Sequence, residues 1–522
     1  MRLFCLLTFL AAALAGQNPA EARNEKPDPV KKARELLDGA AEMLGGTPPQ
    51  IQVAGLWHLG ENYQGFDRKK ALEFYKQAWA AAPTLPAEQL ERFEKRLQTD
   101  IVRSVADLDV DLAIEMVKQM APAKSDYDMR LWAITKVVQV LVDKQELDKA
   151  IGFLDAMGGT GAYSFPAAAT VFTKLPAGDP RQQFLFGAAL AAFNLRPNAE
   201  FRVLLRLCWK DVPQNMASAA LGSYLNSILD KKDEGTEQGA AEHRSTTYVT
   251  AKGSATFNTR QESDLFDVMW LVRDIEPKRA EEILQKYPDL KAALELYPKG
   301  IESMRAEGPM FTFTATGDGR GGQQLAEQFR MRAMMEGRKT EILNAAVKDP
   351  DKALEMVPSM GDPARQAEVL SAVARNVASN DPAKTRHVVN RCMATMAEVK
   401  DPGARIAVWD TLAEAAALIP DDKLVAEAID RGLADAAALY KLDADDARAN
   451  VLMQEYWPSM LAYRRMVMRA TRILKTDAEP LVGKIGDPGV NLLARIALAQ
   501  ALLGREVKEW PVYVPQRRVP KS

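Results

Sequence analysis

The 522-residue chain has only three histidines and three cysteines. His58, His243 and His387 are scattered, and no H-E-x-x-H, no C-x-x-C and no Asp-rich calcium loop with its glycine occurs. Those patterns gather metal donors on one helix face or one loop, so without them no metal site and no cofactor is expected. Aromatic residues are sparse at 7%. An excess of one charge is lacking as well: 68 Lys and Arg stand against 70 Asp and Glu, a formal net charge of -2. Such a balance has nothing to attract a phosphate backbone, so no nucleic-acid partner is expected. After the N-terminal segment no stretch reaches the ~18 uncharged apolar residues of a membrane span. What is present, 47% apolar and 26% charged residues, is ordinary globular composition and excludes a disordered chain, a collagen or a disulfide scaffold.

Met1-Arg2, the apolar run Leu3 to Leu10 and the small-x-small triplet Ala13-Leu14-Ala15 form the pattern of a secretory signal peptide over residues 1–15. A second cleavage position is Ala20-Glu21-Ala22. The expected address is therefore the periplasm or the extracellular space. Residues 16–34 read as a flexible leader with Pro19, Pro27 and Pro29 among alternating charges. Residues 504–522, with Pro511, Pro515 and Pro520, read as an extended tail.

Between these ends one pattern recurs. Asp349-Pro350 is followed by Ala353, Val357 and Met360; Asp381-Pro382 is followed by Thr385, Val389 and Cys392. Asp109 with Ala113, Val117 and Met120, and Glu276-Pro277 with Ala280, Leu284 and Tyr287, repeat it, and Glu146 with Ala150 is a looser copy. The spacing places the apolar residues on one face of an α-helix. The carboxylate caps the free amides of the first turn, and proline at the first helical position loses no needed hydrogen bond. A second series of starts is interleaved: Asp179-Pro180, Asp362-Pro363, Asp401-Pro402 and Asp487-Pro488. Two helices thus alternate, and hairpins of this kind bury their apolar faces only by stacking. The expected fold is all-α, an α-solenoid or superhelix of stacked helical hairpins.

Leu59-Gly60-x-x-Tyr63, then Ala71-x-x-x-Tyr75-x-x-Ala78, then Pro83 resembles the tetratricopeptide repeat, whose period is about 34 residues. Gly55-x-x-x-Leu59-Gly60 with Tyr63 and Gly65 is similar to the related Sel1-type variant. The resemblance covers residues 53–83; elsewhere it is to helical-hairpin repeats in general. It implies a concave surface that holds proteins or peptides, and it transfers no catalytic residue.

The helical pattern, expected over 35–230 and 264–503, is interrupted twice. Residues 231–263 begin with a polar run and continue with Thr246 to Ala251 and Ser254 to Asn258 around Lys252-Gly253, the composition of a small β-hairpin or of an irregular loop. Tyr248, Val249 and Phe257 there are the candidate partner-binding residues, since a loop on a rigid scaffold can carry specificity without disturbing the core. The second interruption, 306–323, holds a strand-like run, Met310 to Thr316, which is read as a loop that pairs its strand with the first hairpin. Gly317-Asp318-Gly319-Arg320-Gly321-Gly322 formally matches G-x-G-x-x-G, but no parallel strand follows to build a dinucleotide site.

Three smaller features complete the reading. Glu302-Ser303 matches the start of the lytic transglycosylase motif, without the glycine-rich segment that follows in that family. Arg465, Arg469 and Arg472, with Arg464 and Lys475 nearby, form a basic helix stripe that either docks an acidic partner or pairs with carboxylates of a neighbouring repeat. Cys208 and Cys392 sit at apolar positions and, in an open solenoid, lie too many repeats apart to pair. The function expected is a non-catalytic scaffold for a protein or peptide partner. The alternative is a polysaccharide hydrolase or lyase with carboxylates in a helical groove, which the scarcity of aromatic platforms disfavours.

Overall fold

The computed structural model describes residues 28–85, 95–122, 128–230, 244–250, 253–308, 310–316, 320–419, 421–445 and 457–505. The expected signal peptide, most of the leader, residues 231–243 and residues 506–522 lie outside that set. Helices α1 (Pro29–Met43), α2 (Pro49–Tyr63), α3 (Arg68–Ala81), α4 (Lys95–Leu108), α5 (Val110–Gln119), α6 (Arg130–Asp143), α7 (Leu147–Gly158), α8 (Phe165–Lys174), α9 (Pro180–Leu195), α10 (Phe201–Cys208) and α11 (Gln214–Leu229) lead to strands β1 (Arg244–Val249) and β2 (Ser254–Phe257). Next come α12 (Arg260–Ile275), α13 (Pro277–Lys286), α14 (Pro288–Leu296), α15 (Ile301–Ala306), β3 (Phe311–Thr316) and the long α16 (Arg320–Lys348). They are followed by α17 (Pro350–Met356), α18 (Pro363–Ala378), α19 (Pro382–Met396), α20 (Pro402–Ala417), α21 (Asp422–Asp445), α22 (Pro458–Leu474), α23 (Glu479–Gly483) and α24 (Pro488–Leu502). The fold is all-α apart from one small sheet.

The helix starts follow from the capping chemistry. Asp349 accepts from the Lys352 amide, Asp381 from Lys384, Asp362 from Arg365, Asp109 from Leu112 and Asp487 from Val490, each taking up one of the unpaired donors of a first turn. Glu276 heads α13 before Pro277 but makes no such bond, its side chain being one methylene longer. Asp28-Pro29 is a further copy: the Asp28 carboxylate accepts from the Val30 amide at 3.0 Å, and α1 buries Ala33. The helical region therefore starts inside what reads as leader, before residue 35.

Packing follows chain order in two layers. Helices α4, α6, α8 and α10 pack on one another in turn, as do α16, α18, α20, α22 and α24. A second layer lies against them, with α5 on α4, α7 on α6, α9 on α8, α17 on α16, α19 on α18 and α21 on α20. The polar letters of the repeat stitch this second layer. The Asp two positions after a cap in one copy meets the cation three positions after the cap in the next: Asp111 with Lys149 and Asp351 with Lys384, both at 2.5 Å. Two other pairs also link helices of this part of the chain: Lys70 reaches back to Asp38 of α1 at 2.5 Å, and Arg181 to Asp148 of α7 at 2.7 Å.

Between the two runs of helices sits a three-stranded antiparallel sheet in the order β2-β1-β3. Val249 lies opposite Ser254 on one side and Phe311 on the other. β1 and β2 pack on α12, and β3 on α16. The strand within the second interruption does pair with the first hairpin, and α16 is already helical at Arg320. All strands of this sheet run antiparallel, so among the described residues no βαβ unit adjoins the glycine-rich stretch.

The two ends of the chain meet. Helix α24 packs on α1 and α2, so the packing of the described elements, with the sheet bridging the two runs of helices, forms a closed circuit, unlike the open array in which only sequence neighbours touch. Gly55 allows the approach: a Cβ there would stand 2.8 Å from Leu492 Cδ2. Lys32 pairs with Glu479 at 2.6 Å. Arg505, just past α24, donates to the carbonyls of Glu61 (2.8 Å) and Asn62 (3.2 Å), which end α2 without helical partners. A cation at this terminus also opposes the helix dipole. α2 and α24 are apolar around most of their circumference, and both are buried on nearly every side.

Candidate interaction surface

The residues singled out in the insertion divide between the two faces of the sheet. Tyr248 and Phe257 point inward and are buried, Phe257 completely. Their rings stand 6.2 Å apart, and both meet Phe266 of α12, at 6.0 and 4.9 Å. The Tyr248 hydroxyl shares a hydrogen bond with Ser263 at 2.7 Å, and burial lifts its phenol above the ordinary value. Neither ring faces solvent, because strand alternation turns positions 248 and 257 toward α12. Val249 is half-buried on the opposite face, beside the exposed Phe311.

The basic stripe of α22 is part of an ion-pair ladder. Arg469 meets Asp410 at 2.7 Å and Glu414 at 3.4 Å on α20, and Glu414 also meets Arg375 of α18 at 3.5 Å. Lys339 of α16 pairs with Glu368 of α18, and Lys136 of α6 with Asp107 of α4 at 2.7 Å. Arg464 is buried. These charges link one first-layer helix to the next. Glu302 is held by Arg206 of α10, and the Ser303 hydroxyl accepts from the Lys299 amide at 2.8 Å.

Cys208 and Cys392 are free and buried, and burial pushes both thiols from 9.0 up to about 12. They stay apart on α10 and α19 although the chain ends meet. His58 is buried with Nδ1 3.1 Å from Glu61 Oε2, His387 is exposed, and His243 lies outside the described residues. Among the described residues no group of three or more His, Cys, Asp or Glu is arranged to hold a metal ion. No helix among them is long and apolar enough to cross a membrane.

Helix α9 is different. From Gln182 to Leu195 it carries no charge. One face is core: Leu185, Phe186, Ala189 and Phe193 are buried, with Phe193 stacked on Phe201 at 4.4 Å. The opposite face is apolar too, yet open. Phe184 is 56% exposed and Leu195 82%, and Ala188 and Ala191 fill the turns between them. The spacing of 184, 188, 191 and 195 draws a continuous stripe along the helix. Exposed apolar residues scattered singly are ordinary; a contiguous stripe is the less common arrangement. The signal was legible as the ten-residue run without a polar side chain, Phe184 to Phe193, which reads equally well as core.

Compared with known proteins, the chain matches no family model, no curated protein and no solved structure.

Proposed function

We propose that the protein is an exported, non-catalytic scaffold, a superhelix of tetratricopeptide- or Sel1-like hairpins that binds a protein or peptide. The observation that carries this reading is the open apolar stripe of α9, a surface suited to covering by another polypeptide. The tighter packing among first-layer helices than among second-layer ones supports the superhelix, with α9 on its outer side. The ion-paired carboxylates of the first layer, Asp410 and Glu414 above all, speak for packing rather than for glycoside chemistry.

The test is site-specific photo-crosslinking in cells, with a benzophenone side chain placed at Phe184, at Leu195 or at the exposed Lys118 of α5. Adducts are expected at the first two positions and absent at the third. Equal labelling at all three, or none at Phe184 and Leu195, rejects the reading. N-terminal sequencing of exported material is expected to find a start near Gly16, with Arg23 as the second site; a start at Met1 rejects the address.

A further inference from the structure

We propose that the open side of the packed α22–α24 pair binds a compact oxyanion, a carboxylate or phosphate group, with Arg464 as its anchor and Arg495 as the second cation. The site stands independently of the α9 stripe.

Arg464 is 7% exposed, and its Nε is sealed from solvent without a hydrogen-bond partner. Among the described residues no hydrogen bond or ion pair reaches its guanidinium. The other buried arginine among them, Arg130, is held by Asp128, with Nε and Nη2 donating to the two carboxylate oxygens at 3.1 and 2.6 Å. For Arg464 the chain provides no such partner, and an oxyanion from outside would supply the same pairing. A buried charge left unpaired is costly, and the planar arginine fork matches carboxylate and phosphate geometry. Met460 and Met468, one turn to either side on α22, are buried too, and apolar surroundings strengthen a charge-assisted bond. Helix geometry gives the direction. Arg469 meets Asp410 and Glu414 of α20, and a Cβ on Gly432 of α21 would clash with Met466. Around α22, Arg464 lies about 140° from Arg469 and about 160° from Met466. It therefore turns away from α20 and α21, toward α24 and the solvent side that exposed Arg465 marks. On α24 the one residue between Gly489 and Gln500 that escapes burial is Arg495. Its Nε donates to the Asn491 amide oxygen at 2.8 Å, and among the described residues no carboxylate pairs with it. Neither helix supplies a counter-charge, since no Asp or Glu occurs from Trp457 to Lys475 or from Pro488 to Leu502. The acids of the adjoining elements are engaged elsewhere: Asp410 and Glu414 by Arg469, Asp435 by Arg405, Glu479 by Lys32, and Asp487 in capping α24. The small opening over Arg464 suits a single oxyanion group rather than the flat face of a polymer.

Thermal unfolding of the full chain in a chloride buffer, at constant ionic strength, is read with inorganic phosphate, with a short peptide carrying one Glu, and with the same peptide carrying Gln. The parent's Tm is expected to rise with phosphate or with the Glu peptide, and not with the Gln peptide. The larger of the two effects tells a free anion from an acidic side chain. Arg464→Met keeps an unbranched apolar shaft and is expected to abolish the rise. Without added oxyanion it is expected to melt above the parent, because the unpaired buried charge is gone. Arg495→Gln, on the open side, is expected to leave the ligand-free Tm unchanged and to weaken binding about tenfold in calorimetric titration. An equal rise in the parent and in Arg464→Met overturns the inference, as does no rise with either oxyanion. An Arg464→Met chain that melts below the parent without oxyanion overturns it too, and makes Arg464 a packing residue. An Arg495→Gln chain that binds as the parent does removes the second cation. None of these outcomes alters the photo-crosslinking expected at Phe184 and Leu195.

Discussion

Helices α9 and α24 are made of nearly the same material and meet opposite fates. Both are apolar around most of the circumference; α24 has Arg495 as its one charge and α9 has Arg181. α24 lies among α1, α2 and α22, and from Gly489 to Gln500 only Arg495 escapes burial. α9 is covered by α7, α8, α10 and α11 on one side only. An all-round apolar helix needs cover on two sides. For α24 both covers come from within the chain; for α9 one is missing. The difference lies in what the fold brings alongside, not in the helices themselves.

Truncation separates the two most sharply. Leu492→Ala in α24 removes a fully buried side chain at the seam with Gly55 and is expected to cost about 3 kcal/mol in urea unfolding. Leu195→Ala in α9 is expected to change stability by less than about 0.5 kcal/mol. Equal losses would mean that α9 is covered in solution by its own chain. Next in size is Arg505→Ala, which takes two charge-assisted bonds from the end of α2 and is expected to cost about 2 kcal/mol. A loss that small-angle scattering shows to accompany a larger radius of gyration would identify Arg505 as a clasp on the seam. Arg469→Ala, at a half-buried pair between first-layer helices, is expected to cost about 1 kcal/mol. Lys384→Ala, in the exposed second-layer stitch, is expected to cost about 0.3 kcal/mol and to lose that small effect in 1 M salt. Smallest of all is thiol reactivity. Peptide mapping after alkylation of the native protein at neutral pH is expected to find Cys208 and Cys392 unmodified, and fully modified in denaturant. The same burial sets a pH dependence. Between 9.0 and about 12 the folded thiols keep protons that the unfolded chain releases, so stability falls as pH rises through that range. Replacing both cysteines by alanine makes that slope shallower.

Much of this architecture was legible because its rules are local. Asp before Pro, apolar residues at helical spacing and the polar insertion each act within one or two turns, and the helix starts at Asp349, Asp362, Asp381 and Asp401 stand where the sequence puts them. The hairpin and its third strand were legible from Thr, Tyr and Phe flanked by glycine. The side to which Tyr248 and Phe257 turn was not, since alternation fixes which residues share a face but not which face meets α12. Closure was hidden for a related reason. Periodicity reports that α1 and α24 each have an apolar face; it does not report that the two faces meet. The start of α1 at Asp28-Pro29 carried the familiar signal, masked by neighbouring prolines and alternating charges. The α9 stripe was hidden by resemblance to core.

The seam between α24 and α2 sets a timetable. α1 and α2 leave the ribosome well before α24. At roughly 5–20 residues per second, their meeting is delayed by about 20 to 90 seconds. During that interval Ile51, Gly55 and their neighbours have no cover on the side that Leu492 will occupy. The contact with the greatest sequence separation is therefore the final one made, and loop closure is its entropic cost. Chains released early, or cut anywhere before Pro488, keep that apolar surface open. They should be the species that aggregate and that chaperones hold, even though most of their hairpins are already folded.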